Sequence, residues 1–172
     1  MKKLGDTVHI RDERPEDFGA VIDLTQRAFA PMPFAAGDEQ ALMGKLRDVG
    51  ALTISLVAEL DGRVAGHAAF SPAFAKDGSQ GWFALGPISV EPGLQRRGIG
   101  GRLIGEGLAR LRRMDAAGCI VLGDLAYYPR FGVRPFPQFA PEGEPAEYFM
   151  ILTMGVAAPA CVLEFHQAFH EA

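Results

Sequence analysis

Apolar positions recur along this chain with two periods, near 3.6 and near 2, and the switches between them mark the elements. Val8 to Arg11 reads as a short first strand, and Asp12-Glu13-Arg14-Pro15 has the charges and proline that suit a helix entry. From Pro15 to Phe29 the residues Phe18, Val21, Ile22, Leu24 and Phe29 fall at roughly helical spacing, which predicts a helix ended by Pro31-Met32-Pro33. Asp38 is placed to cap a second helix running to about Val49, with Leu42, Leu46 and Val49 on one stripe.

The period then changes. Leu52 to Leu60 and Arg63 to Phe70 are rich in β-branched and apolar residues and flank Asp61-Gly62, a two-residue hairpin signal, so two antiparallel strands are predicted. After a loop from Lys76 to Gly81, Trp82 to Val90 supplies the next strand. Ile99, Leu103, Leu108 and Leu111 line one face of a helix that begins near Gly98 and ends near Gly118. Cys119 to Leu122 reads as a short buried strand beyond it, which makes a β-α-β unit with parallel strands. Tyr127 to Phe131 predicts a short helical turn. Phe149 to Met154 predicts a strand after the Pro- and Glu-rich loop from Pro135 to Glu147. Cys161 to Phe165 alternates like an edge strand, open either to pairing across a dimer or to internal cover.

Composition narrows the class. The 172 residues, 48% of them hydrophobic, suit a single domain over 1–172 with a substantial core. A formal charge of -4 argues against nucleic acid as a general partner. The sign is unevenly spread: Asp12 to Asp48 holds eight acids and four bases, whereas Glu91 to Arg113 holds six arginines and two glutamates. One region is expected to favour cations and the other anions. Cys119 and Cys161 are too few for a disulfide scaffold and read as reduced thiols. Lys2 and Lys3 precede Gly5-Asp6 with no apolar segment following, and no apolar stretch approaches a membrane span, so a cytoplasmic protein with no membrane partner is expected. His9, His67, His166 and His170 show no metal-ligand spacing beyond the tail pair, and no metal site is expected.

The chemistry concentrates in Gln95-Arg96-Arg97-Gly98-Ile99-Gly100, between a predicted strand and a predicted helix. Gly98 and Gly100 let backbone approach a ligand closely, and the first N–H groups of a helix have no partner within it, so the turn suits a diphosphate. Leu103 stands where a dinucleotide fingerprint needs a small residue, and the Gly-Lys-Ser/Thr of a P-loop is absent. The remaining pattern, Q-x-x-G-x-G after a strand, resembles the acetyl-CoA signature of the GNAT N-acetyltransferases. The resemblance continues through Leu122-Gly123-Asp124 and Tyr127-Tyr128-Pro129-Arg130-Phe131-Gly132-Val133, similar to the strand-then-tyrosine segment of that family. Together with Leu85-Gly86-Pro87-Ile88-Ser89-Val90, these segments look most like the YhbS-like branch. The match covers roughly Leu56 to Met154.

The resemblance implies the GNAT acyl-CoA N-acyltransferase fold: a mixed α/β domain with a mostly antiparallel central sheet, one splayed parallel pair, and flanking helices. It implies acetyl-CoA as cosubstrate and direct acetyl transfer to an amine acceptor, a small molecule or a peptide, by a monomer or homodimer. Backbone groups of Ile88, Ser89 and Val90 would pair with the pantetheine amides. Gln95, Arg96, Arg97, Gly98, Ile99, Gly100, Gly101 and Arg102 would hold the diphosphate. Tyr128, four residues before Gly132, matches the tyrosine that protonates the departing thiolate; Tyr127 is the lesser candidate.

The strand 82–90 has no carboxylate, so the base that deprotonates the amine is left between Asp124, His67 and a water chain, with Asp124 also placed to cap the tyrosine turn. A ping-pong route through Cys119 is disfavoured because no basic residue lies beside it. The acidic segment 12–48 suits a cationic acceptor. The missing base leaves an alternative of another class, a CoA-binding regulatory or interaction module with little or no turnover.

Overall fold

The computed structural model describes residues 7–32, 37–157 and 159–170. Pro33, and the segment from Lys2 to Asp6, lie outside them.

Strand β1 (His9–Asp12) pairs antiparallel with β2 (Ile54–Leu60), which forms a hairpin with β3 (Arg63–Pro72). Asp61 and Gly62 both take positive φ, 52° and 75°, as a two-residue turn matched to strand twist requires. Next to β3 comes β5 (Trp82–Val90), followed by β6 (Gly118–Leu122), β8 (Phe149–Thr153) and the two-residue β7 (Arg134–Pro135). In this seven-stranded sheet the β5–β6 pair is parallel and every other pairing is antiparallel. The connection between β5 and β6 is α3 (Ile99–Arg113), the predicted crossover.

Alternation sorts the sheet residues to two faces. Leu56, Ala58, Ala68 and Phe70 point toward α3, which buries Ile99, Leu103, Ile104, Leu108 and Leu111 against them. Val57 and Ala69 point the other way, toward α1 (Phe18–Phe29) and α2 (Glu39–Asp48), where Val21 and Met43 meet them. Helices thus cover both faces.

Three expectations change. Asp38 stands at the start of α2 but makes no side-chain capping bond, and Val49 is 61% exposed. The buried stripe of α2 is Met43 and Leu46, because the helix ends before Val49 can turn inward. The tail strand shrinks to β9 (Leu163–Glu164) and pairs with β4 (Phe74–Ala75) in a separate two-stranded sheet, so it is not an edge of the main sheet. Leu163 and Phe165 join Trp82, Ile120 and Phe149 in a second apolar cluster, which is internal cover.

Candidate active site

The site begins with a register fault. Gly66 to Ala68 pair with Val90 to Ile88, but Phe70 to Pro72 pair with Leu85 to Phe83, leaving one extra residue on β5 at Gly86-Pro87. Gly86 has φ 141°, a conformation that favours glycine, and the peptide to Pro87 is cis. A bulge bends its strand and increases local twist. β5 accordingly pairs with β6 only from Trp82–Ala84 to Gly118–Ile120, after which β6 follows β8 while β5 continues along β3. The parallel strands separate, and the β6-facing edge of β5 from Leu85 to Val90 borders a gap.

The glycine turn stands at the end of that gap. Gln95, Arg96, Arg97 and Gly98 are exposed; Arg96 and Gly98 have positive φ, 63° and 91°, and Gly98 is the N-cap of α3. Alternating signs of φ turn successive N–H groups toward one side, an anion-binding concavity, and α3 adds the positive end of its dipole. The Arg102 N–H already donates to Gly98 O at 3.1 Å, so the N–H groups unused by the helix are those of Ile99, Gly100 and Gly101. The Arg102 guanidinium reaches back to Val8 O, tying α3 to the residue that precedes β1. Gln95 Nε2 donates to Val90 O at 3.1 Å and braces the turn against the end of β5. Among the described residues Arg96 and Arg97 make no ion pair.

Across the gap, the residues after β6 fold back on themselves. Asp124 Oδ1 accepts from Ala126 N at 2.8 Å, and its carbonyl accepts from Tyr127 N and Tyr128 N, each at 3.1 Å. This exposed aspartate therefore organises the tyrosine turn, one of the two roles its position allowed. Tyr128 opens the 3-10 turn Tyr128–Phe131, which Gly132 closes with φ 98°. Its ring lies over Gly123, where an added Cβ would stand 2.3 Å from Cε2. Burial, then Tyr127, Cys119 and Asp124, push the Tyr128 hydroxyl well above the ordinary phenol range, so it is a proton carrier and not a phenolate at neutral pH. Tyr127 packs edge-on against Tyr128 and Phe131, with its hydroxyl against the first turn of α3. That placement had no signal in the sequence beyond adjacency to Tyr128.

His67 leaves the list of reachable bases. It is fully buried on the α1 face, its Nε2 lies 2.8 Å from Ser55 Oγ, and burial, then Arg47, lower its pKa to about 3. Its 3.5 Å approach to Glu13 Oε2 is therefore a contact of a neutral ring. Cys119 is buried on β6 and its thiol is pushed up to about 12 by burial, which leaves no thiolate to attack. Three of the eight acids expected to attract a cation are paired within the chain: Asp17 with Arg11 and Glu13 with Arg47, both largely buried, and Asp12 with Arg110 at the surface. Among the described residues no group of three or more metal-ligating side chains comes together.

An exposed glycine turn at a helix start, beside a parallel pair that splays at a bulge, is an arrangement that similarity to known proteins identifies. The model of the Acetyltransferase (GNAT) family matches residues 18–133. The chain belongs to the GNAT acetyltransferase family. A GNAT family acetyltransferase from Brucella melitensis, solved in complex with acetyl-CoA, is 44% identical and superposes with a TM-score of 0.84 over 94% of this chain and 97% of its own. The uncharacterised N-acetyltransferase YhbS of Escherichia coli K12 is 36% identical over 124 residues, 72% of this chain and 71% of YhbS. The E. coli YhbS structure in complex with CoA superposes with a TM-score of 0.84 over 96% of this chain and 93% of its own, at 28% identity across that wider span. The GNAT match starts at Phe18, upstream of Leu56, so the resemblance extends through α1 and α2.

Proposed function

We propose that this protein is an acetyl-CoA-dependent N-acetyltransferase that transfers acetyl directly to a primary amine of a small molecule or peptide. The observation that carries the reading is the open edge of β5 from Leu85 to Val90 leading straight to the exposed glycine turn before α3. Main-chain groups along that line, with the Ile88 and Val90 N–H on the gap side and Ser89 between them paired to β3, fit the pantetheine amides, and those at Gly98 to Gly101 fit a diphosphate. Gln95 holds the two parts in register, and Arg96 and Arg97 add positive charge beside the phosphates. Bound acetyl-CoA supplies the acyl group as an activated thioester.

The chain supplies the proton traffic. A strand N–H near Val90 polarises the carbonyl as the amine nitrogen forms the new C–N bond. Tyr128 holds a proton at its hydroxyl and delivers it to the sulfur as the C–S bond breaks. Asp124, exposed at the same turn, or water beside it, takes the proton that the amine loses. A single domain acting in the cytoplasm as a monomer or homodimer accords with this reading; among the described residues no helix is long and apolar enough to cross a membrane.

Acetyl transfer to a panel of amines, followed by release of free thiol, tests the activity. Tyr128→Phe keeps the ring over Gly123 and removes the proton; the single-turnover rate should fall by roughly tenfold to 10⁴-fold while CoA affinity holds. Tight CoA binding with no turnover on any amine would favour the regulatory-module alternative.

A further inference from the structure

We infer that Tyr127 contacts CoA through its hydroxyl at the junction of diphosphate and pantetheine, separating the two adjacent tyrosines into a cofactor-binding and a proton-donating residue. The inference rests on the cofactor reading above.

Three observations place the hydroxyl. A Cβ built on Gly100 would lie 3.4 Å from Tyr127 Oη and 3.7 Å from Val90 Cγ2, so the hydroxyl, the end of β5 and the first turn of α3 meet at one point. That point joins the two stretches of main chain assigned above to pantetheine and to diphosphate. The ring is held from several sides. Arg130 lies over it at 4.4 Å to the centroid and donates from Nε to Tyr127 O at 2.8 Å, while Phe131 and Tyr128 stand edge-on at 5.4 and 5.2 Å. A ring so clamped presents its hydroxyl at little entropic cost on binding.

Third, the hydroxyl is uncommitted. Among the described residues it has no hydrogen-bond partner, and partial burial raises its pKa above the phenol range, so it stays protonated and able to donate. A neutral donor beside unused helix N–H groups suits a phosphate oxygen. Arg130, packed on the same ring, adds positive charge at this edge of the gap without needing to move. Tyr128, by contrast, turns its ring over Gly123, away from α3.

Calorimetric titration with CoA tests this on the full chain. Tyr127→Phe retains the packed ring and should weaken CoA binding by about tenfold, the scale of one hydrogen bond to a charged group. Its thermal midpoint without CoA should stay near wild type, and the loss should appear mainly as a raised KM for acetyl-CoA, with a smaller change in kcat than in Tyr128→Phe. Unchanged CoA affinity in a folded Tyr127→Phe overturns the inference. So does a loss of saturated rate as large as that of Tyr128→Phe, which would make Tyr127 the acid, and so does tighter binding in Tyr127→Ala, which would make the ring an obstruction. Failure of the wild type itself to bind CoA would instead sink the cofactor reading on which this one depends.

Discussion

Cys119 shows how burial decides chemistry for a single residue. Burial raises its pKa to about 12 against a smaller lowering by the Leu85 backbone, and Sγ donates to the neighbouring carbonyl of Ile120 at 3.7 Å. A thiol there packs as a small hydrophobe. Cys119→Ala should cost about 1 kcal/mol of stability, for one buried atom, and leave transfer intact. Initial-rate plots in both substrates should intersect, as for a ternary complex; isolation of an acetyl-cysteine at this position would overturn direct transfer. The sequence was legible here, since no base flanks Cys119. It was half legible for His67: a lone histidine on a strand is either a base or a hydrogen-bonded core residue, and packing beneath α1 and α2, with Ser55 on its Nε2, decided for the core.

Two glycines on one helix separate binding from packing at the scale of an element. Gly107 faces the sheet, and an added Cβ would stand 2.2 Å from two atoms of the fully buried Phe70 ring. Phe70 has no free space to yield, so Gly107→Ala should destabilise by about 1–3 kcal/mol through overpacking, read as a lowered thermal midpoint. Gly100 is two turns earlier and faces the gap, where a Cβ makes only ordinary contact. Gly100→Val should fold near normally, yet lose most CoA affinity by calorimetry, because its branched methyls occupy the approach to the helix N–H groups. Reversed outcomes would mean that the turn is structural. The hydrophobic period predicted this helix and its face, and the turn pattern singled out Gly100; the packing role of Gly107 had no such signal and appears only once β3 brings Phe70 against it.

Across the whole molecule, buried His67 ties stability to pH. Its pKa falls from the unfolded 6.5 to about 3, so between these values the unfolded chain binds a proton that the folded chain does not. Stability is therefore full above pH 6.5 and declines as pH falls toward 3. Burial is the main cause; the guanidinium of Arg47 adds to it, and Asp17 opposes it. Asp17 is itself held below the ordinary carboxylate range by Arg11, and so contributes its own loss only at lower pH than the upper part of this window. Urea midpoints from pH 7 to 4.5 should fall for the wild type and stay flatter for His67→Gln. Parallel slopes in the two proteins would rule out His67 as the source.

The local signals in the sequence determined much of this molecule. Asp61-Gly62 specifies its hairpin, the apolar period specifies α3, and Gln95 to Gly100 specifies the glycine turn that starts it, because each rests on neighbours within a few residues. Placement across the chain required the tertiary structure. The splay of β5 from β6 follows from a bulge opposite Ala69, visible only once β3 and β5 pair. The acids of segment 12–48 read as a cation-attracting surface, but the fold brings Arg47 of α2 to Glu13 and Arg110 of α3 to Asp12, while Arg11 takes Asp17, so three of the eight are paired. Adjacent tyrosines with identical side chains point to different neighbours because the 3-10 turn rotates one toward Gly123 and the other toward Gly100. Residue type fixes what a group can do, and long-range packing decides whether water, charge or ligand can reach it.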